Sequence, residues 1–332
     1  DYDYTDNQYV FSTNLGVLAN FGYTYRKNKI TFKNLYNRSY DNKYTERSGI
    51  NTGSSSAVQF MAYDLMQKSL FKSTLDGEHV LSERNDRLKW TASWSNILNN
   101  QPNQMKISYV KNMNSVDDPS VPYLANITST GKENTRLFSD LNENIYSGEV
   151  GYTLPIDFLT PQSSLKVGAG AQYRRRLFDA RFVGFELNAT AIDPHLQDEI
   201  RALAPDQIFA ADLINKNYYK YAEVPMDGDK YDANSLTSFG YAMLDQKFAD
   251  KYRVVYGVRL ENYNVQLNSP NKIIDDTKLD ILPSVNFTYS LNEKTNLRAS
   301  YYRTLARPEF RELAPFAYYD YEQFVMMTGN SK

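Results

Sequence analysis

The sequence predicts an all-β protein: an antiparallel transmembrane β-barrel, present in part as roughly 10–11 strands, with a small helical insertion in one loop. Three observations predict it. Apolar and polar residues alternate with period 2 along several segments. No segment holds the ~18 consecutive apolar residues that a spanning helix needs. The links between the alternating segments are short and long by turns.

The alternation is clearest at Tyr252, Val254, Tyr256, Val258 and Leu260, which share one face, while Arg253, Val255, Gly257, Arg259 and Glu261 share the other. Leu279, Ile281, Pro283, Val285, Phe287 and Tyr289 repeat it, as do Leu297, Ala299 and Tyr301. Near the start, Leu15, Val17, Ala19, Phe21, Tyr23 and Tyr25 alternate with Gly16, Leu18, Asn20, Gly22 and Thr24. A half-buried strand needs one apolar and one polar face, and it meets that need in a soluble core or against lipid alike.

The links separate those two cases. Strands are expected at roughly 10–25, 30–43, 58–77, 88–98, 142–155, 164–186, 236–248, 252–268, 279–291 and 296–304. Short links then fall at Arg26–Lys29, His79–Asp86, Asp157–Ser163, Ala249–Lys251 and Asn292–Thr295; long ones fall near 44–57, 99–141, 187–235, 269–278 and 305–317. Membrane barrels have short turns at the periplasmic rim and long loops outside, whereas a sandwich has no reason to alternate in this way. By that polarity the first strand runs inwards, the last runs outwards, and Tyr318–Met327 starts back. Both chain ends are expected outside, and ten strands with two open edges in lipid read as the middle of a barrel.

Composition agrees. In 332 residues, 42% are hydrophobic, yet 28 are Tyr and 17 are Phe, which suits surfaces that are apolar at one depth and wet at another. Mean hydropathy is −0.59. A net charge of −2 gives no pull towards nucleic acid, and the absence of Cys excludes disulfides and thiolate chemistry. Asp1–Tyr4 is not a signal peptide.

One loop reads as helical, an insertion at about 192–215. Asp193 is a good cap, Pro194 suits a first turn, and Ile192, Leu196, Ile200 and Leu203 follow at helical spacing. Pro205 is expected to restart a second helix through Asp206–Ala211. No catalytic constellation is legible: His79 and His195 lack partners at metal-ligand spacing, and no phosphate loop or nucleophile elbow occurs. The carboxylates from Asp227 to Asp232 suit a hard cation, but their spacing departs from a calcium loop, so a solvated loop is the expectation. No metal or cofactor is expected.

The stretch Leu279–Leu313, LDILPSVNFTYSLNEKTNLRASYYRTLARPEFREL, resembles TonB-dependent outer-membrane receptors, especially those of Bacteroidetes-type bacteria. The matching positions are Leu282, Pro283, Ser284, Asn286, Tyr289, Asn296 to Arg298, Ser300, Tyr301, Arg303, Arg307, Pro308, Phe310, Glu312 and Leu313. Tyr241–Phe248, Val255–Glu261 and Phe32–Ser39 are also close to family wording. The family's "GN-x-x-L-x-P" text breaks off here after Gly329 and Asn330. The resemblance implies a barrel of about 22 strands around a plug, of which this chain covers the middle portion, without plug, TonB box or terminal strands.

The resemblance also implies an importer. A ligand, whether iron chelate, glycan or peptide, binds the outer loops and plug, and the TonB complex supplies energy through the missing N-terminal part. The expected partners are outer-membrane lipid, the protein's own plug, the TonB complex and, in some members, a surface lipoprotein. A passive porin or structural accessory barrel, and a soluble aromatic-rich carbohydrate-binding protein, remain alternatives. The candidate plug-contact or ligand residues are Arg303, Arg307, Glu312, Tyr318, Tyr319 and Tyr321, the tyrosines being equally suited to an upper aromatic girdle. Arg253, Arg259, Glu261 and Arg298 are expected to point into the lumen, paired with each other or with the plug.

Overall fold

A computed structural model describes residues 2–127, 134–156, 163–226, 228–249, 251–323 and 325–330. Its strands are β1 (Tyr2–Tyr25), β2 (Asn28–Asn51), β3 (Ser56–Val80), β4 (Arg87–Asn112), β5 (Leu124–Ala125), β6 (Arg136–Pro155) and β7 (Ser164–Leu187). They continue with β8 (Tyr219–Glu223), β9 (Lys230–Phe248), β10 (Tyr252–Ser269), β11 (Lys272–Asn292), β12 (Thr295–Tyr302), β13 (Ala317–Asp320) and β14 (Val325–Thr328). The helices are α1 (Pro194–Arg201), α2 (Ala211–Asn215) and α3 (Phe310–Leu313).

Ten strands form one antiparallel path, β1-β2-β3-β4-β6-β7-β9-β10-β11-β12, with β5 added to β4 and β8 to β7; β13 and β14 make a separate hairpin. Each neighbour on the path is the next long strand in sequence, which is the up-and-down order that short turns enforce. The first and last strands of the path do not pair with each other, so the sheet is an open, partial barrel.

All ten expected strands are present, and all but β12 are longer than the alternation indicates. The expected long link at 44–57 is a turn at 52–55, and the one at 269–278 is only Pro270 and Asn271. In both, the strands continue past the apolar belt into a tight hairpin, and near the turn the polar stretches Tyr44–Asn51 and Asp275–Lys278 lack the outward apolar row by which the rest is read. The β1–β2 register holds from Tyr25↔Asn28 to Tyr2↔Asn51 without a slip. The short links are turns at one rim, with Arg26 (φ 52°), Asn85 (φ 68°) and Ala249 (φ 48°) in the left-handed region. Most of the expected link Asp157–Ser163 lies outside the described residues, although the Ser163 carbonyl accepts the Ile156 N–H at 2.9 Å.

Asp193 caps α1 as expected, its carboxylate accepting the His195 N–H at 2.9 Å. The helix expected over Asp206–Ala211 is instead a run of turns, and α2 starts at Ala211. Pro205 cannot donate the N–H that would continue a helix from α1, and Ile208 drops into a core with Ile107, Tyr109 and Ala125, which fixes the chain there.

The outward face is apolar and uncovered: Leu15, Phe21, Tyr23, Leu260, Leu279, Ile281 and Leu297 are all at least 49% exposed. Such a belt far exceeds the apolar patches that monomeric soluble proteins expose. Tyr252 stacks on Tyr289 (centroids 4.9 Å) and lies near Phe287 (6.2 Å) at the short-turn rim, as an interfacial girdle requires. The inward face is polar and ion-paired. Arg253 bonds Asp245 at 2.8 Å, and Arg259 bonds Glu261 at 2.9 Å while stacking on Phe239. The largest apolar core lies on this concave side, where residues after β12 fold back against β7, β9 and β10.

Candidate functional site

The chain leaves β12 and turns inwards instead of staying at the rim. The Arg303 N–H donates to the Pro283 carbonyl at 3.1 Å, and its guanidinium lies 4.0 Å from Asp280. Arg307 donates to Glu261 Oε1 (3.2 Å) and Asp280 Oδ2 (2.9 Å) and lies over the Tyr263 ring at 4.5 Å. A guanidinium suits this place because one planar fork serves two carboxylates and an aromatic face together.

Glu309 makes the next attachment. Its carboxylate accepts from Arg174 Nη2 at 2.9 Å and from Arg176 Nη2 at 3.4 Å. Behind the same two arginines stands Glu143, 1% exposed, bonded by Arg174 Nε at 2.8 Å and by Arg176 Nε at 2.7 Å. Two cations and two anions therefore share one cluster, which is how a buried charge avoids an unpaired desolvation cost. The bond from Arg174 holds the Glu309 carboxyl below the usual carboxylate range, against the opposing effect of burial.

Glu309 also starts α3. Its backbone N–H donates to Glu312 Oε2 at 3.0 Å, one half of a capping box. Glu312 thus acts locally, as a cap. Phe310, 2% exposed, sits beneath the guanidinium groups of Arg174 (5.1 Å) and Arg176 (5.3 Å), in one core with Phe182, Tyr263 and Leu267. Phe316 meets Phe178 edge-on at 4.8 Å. The chain passes so close to Gly228 (φ +84°) that a Cβ there would lie 2.4 Å from the Phe316 nitrogen.

The β13–β14 hairpin then crosses to β2, β3 and β4. Tyr318 stacks on Phe316 at 5.9 Å, and Arg311 lies over its ring at 4.3 Å. Lys106 lies over Tyr319 at 5.5 Å. Tyr321, 6% exposed, packs on Phe60 at 5.7 Å, and its carbonyl accepts Arg47 Nη1 at 2.6 Å. Lys43 bonds Glu322 and sits over the Tyr321 ring at 5.3 Å. The girdle reading of these tyrosines is therefore corrected. They face the concave side, because Pro308 and Phe310 carry the chain inwards before it reaches them.

Tyr319 and Tyr321 help line a cavity of about 430 Å³ at the loop-bearing rim, together with Tyr2, Tyr4, Arg47 and Phe60. Sequence reasoning missed those four. Tyr2 and Tyr4 alternate with Asp1 and Asp3, which was a readable strand signal, while Arg47 lies in a stretch expected to be loop. Tyr4 is placed by its cross-strand partner Gly49 (φ +150°), where a Cβ would meet Asp3 O at 2.0 Å and the Tyr4 ring at 2.9 Å. The ring then reaches Arg47 at 5.5 Å and Tyr2 at 5.6 Å. Arg47 holds Asp6 through two bonds of 2.6 Å. Burial raises the phenol pKa of Tyr4 and of Tyr321, so both are neutral donors at neutral pH. Among the described residues, no group of three or more His, Asp or Glu side chains is placed to hold a metal ion.

An antiparallel wall with an apolar outside, an ion-paired inside, short turns at one rim and insertions at the other is part of the wall of a transmembrane β-barrel. Residues 212–332 match the outer membrane protein beta-barrel family. No curated protein matches the chain. Among solved structures, it is similar to the ferripyoverdine receptor of Pseudomonas aeruginosa, at 11% identity and a TM-score of 0.46, over 91% of this chain and 42% of that one. It is also similar to the siderophore receptor PiuA of Acinetobacter baumannii, at 11% identity and 0.42, over 88% and 48%. For the copper transporter OprC the values are 13% and 0.35, over 93% and 48%. The chain thus spans less than half the length of these structures.

Proposed function

We propose that the chain is part of the wall of a TonB-dependent importer, a receptor that takes a ligand through a plugged barrel. The observation that carries this reading is the path of residues 303–322. The text most specific to that family, Arg307–Pro308 with Phe310 and Glu312, is the text that folds into the lumen and is pinned to β7, β10 and β11. A diffusion pore needs a clear lumen, whereas a gated importer fills its lumen and gains from wall charges that grip what fills it. On this reading Arg303 and Arg307 face the protein's own plug, and Tyr318, Tyr319 and Tyr321 stand between plug and incoming ligand. The TonB complex and, in some members, a surface lipoprotein complete the machinery.

The test is uptake of labelled ferric chelates, oligosaccharides and short peptides by cells carrying the full-length gene, with and without TonB. Energy-dependent import of one class only when TonB is present is the expected result. Equal uptake in both strains would turn the assignment to a passive barrel.

A further inference from the structure

We infer that the rim cavity between Tyr2, Tyr4, Tyr319 and Tyr321 is a binding site for a neutral oligosaccharide. This rests on the importer reading and names the ligand class of its mouth.

The chemistry of the lining points there. Four tyrosine rings line the cavity, Tyr2 and Tyr4 from β1 and Tyr319 and Tyr321 from the β13–β14 hairpin. Rings of this kind present apolar faces to the C–H faces of a sugar while their hydroxyls stay polar. Between them lie three amides, Asn51, Asn126 and Asn134, with Ser54, Ser56 and Ser108. Amides and hydroxyls donate and accept together, which matches sugar hydroxyls. Asn134 is already oriented, its Oδ1 accepting the Ser108 N–H at 3.0 Å.

Charge argues against the other classes. Among the described residues, one charged side chain lines the cavity, Arg47, and it is already engaged by Asp6 and by the Tyr321 carbonyl, which disfavours an anionic chelate. A peptide would be recognised through its charged ends or by pairing along a strand edge. Among the described residues the lining holds no carboxylate for a peptide's amino end, and Arg47, which would take its carboxylate, is already bonded; of the strands that line the cavity, β2 and β3 are paired on both sides and β1 and β13 on one. The volume of about 430 Å³ falls within the range for small-ligand sites and accommodates part of a chain whose remainder runs outwards.

The test uses the full-length receptor in detergent, titrated with hexamers of glucose, mannose, xylose and N-acetylglucosamine linkages, and with ferric enterobactin and ferrichrome. The expected result is binding of at least one hexamer, weakened at least tenfold by Tyr4→Ala and by Tyr319→Ala. Tyr4→Phe, which keeps the ring, should bind within threefold of the parent and serves as the folding control. If no hexamer binds at 10 mM, or if both alanine variants bind as the parent does, the inference is overturned. Ferric-chelate binding in place of sugar binding overturns it too, while leaving the importer reading intact. A sugar that binds at this site but enters cells equally without TonB has the reverse meaning: the site stands and the importer reading falls.

Discussion

Glu309 bonds Arg174 at 2.9 Å across 135 residues of sequence, and through it the segment after β12 is tied to the middle of the wall. Arg174 is 23% exposed and Glu309 55%, so solvent screens the pair and each such bond contributes only about 0.5–1 kcal/mol. What makes the contact matter is its neighbour in sequence, Phe310, which the same arginines cover. Replacement by Glu309→Gln should raise amide hydrogen exchange in residues 303–316 a few-fold and leave the exchange of β7 unchanged.

Phe310→Ala should act more strongly. Removing a ring that is 2% exposed costs about 3–5 kcal/mol, counting lost burial and the cavity left behind. The segment is expected to undock, and limited proteolysis should then cut between Arg303 and Arg311 at sites protected in the parent. A parent-like digestion pattern would show that the charge cluster alone holds the segment.

Acid should loosen the same attachment. The Glu309 carboxyl has a folded pKa below its ordinary value of 4.5. A group depressed in the folded state contributes its stability above the unfolded value, and that contribution is lost as pH falls through the folded one. Docking measured by exchange or by cross-linking should therefore be constant from neutrality to about pH 5 and weaken below about pH 4.5. The Glu309→Gln variant should show no such component.

Gly49→Ala tests the mouth. The position has φ +150° and no room for a Cβ beside Asp3 and Tyr4. The cost is expected at about 1–3 kcal/mol, through backbone strain and displacement of the Tyr4 ring. The β1–β2 hairpin should lose protection at its tip first, while the unboiled protein keeps its compact migration on a denaturing gel.

The strands were legible where one face meets lipid, because there the sequence must alternate; Tyr252 to Leu260 and Leu279 to Tyr289 are examples. Legibility ended beyond the lipid belt, where the outward face no longer has to be apolar. Ile273 to Lys278 and Tyr44 to Asn51 pair in register as strands, yet nothing in their hydropathy requires it. The inward path of 303–322 was hidden for a different reason. Pro308 and Pro315 announce a loop, but only the buried partners of Phe310 and Phe316, contributed by β7, β9 and β10, decide which way it goes. Arg303 and Arg307 are singled out by their motif, whereas Arg47 belongs to no motif and stands out only when Asp6 and Tyr321 are beside it.

The length of β1 has a consequence for where a ligand is met. From Tyr25 to Tyr4 the strand covers about 70 Å at ~3.3 Å per residue, or roughly 50 Å of height once tilted. The apolar band takes up only about 25 Å of that. The barrel therefore rises like a chimney above the bilayer, and its tyrosine-lined opening stands about as far from the lipid as the lipid is thick. On the importer reading, a solute bound there is met before any part of it comes near the membrane.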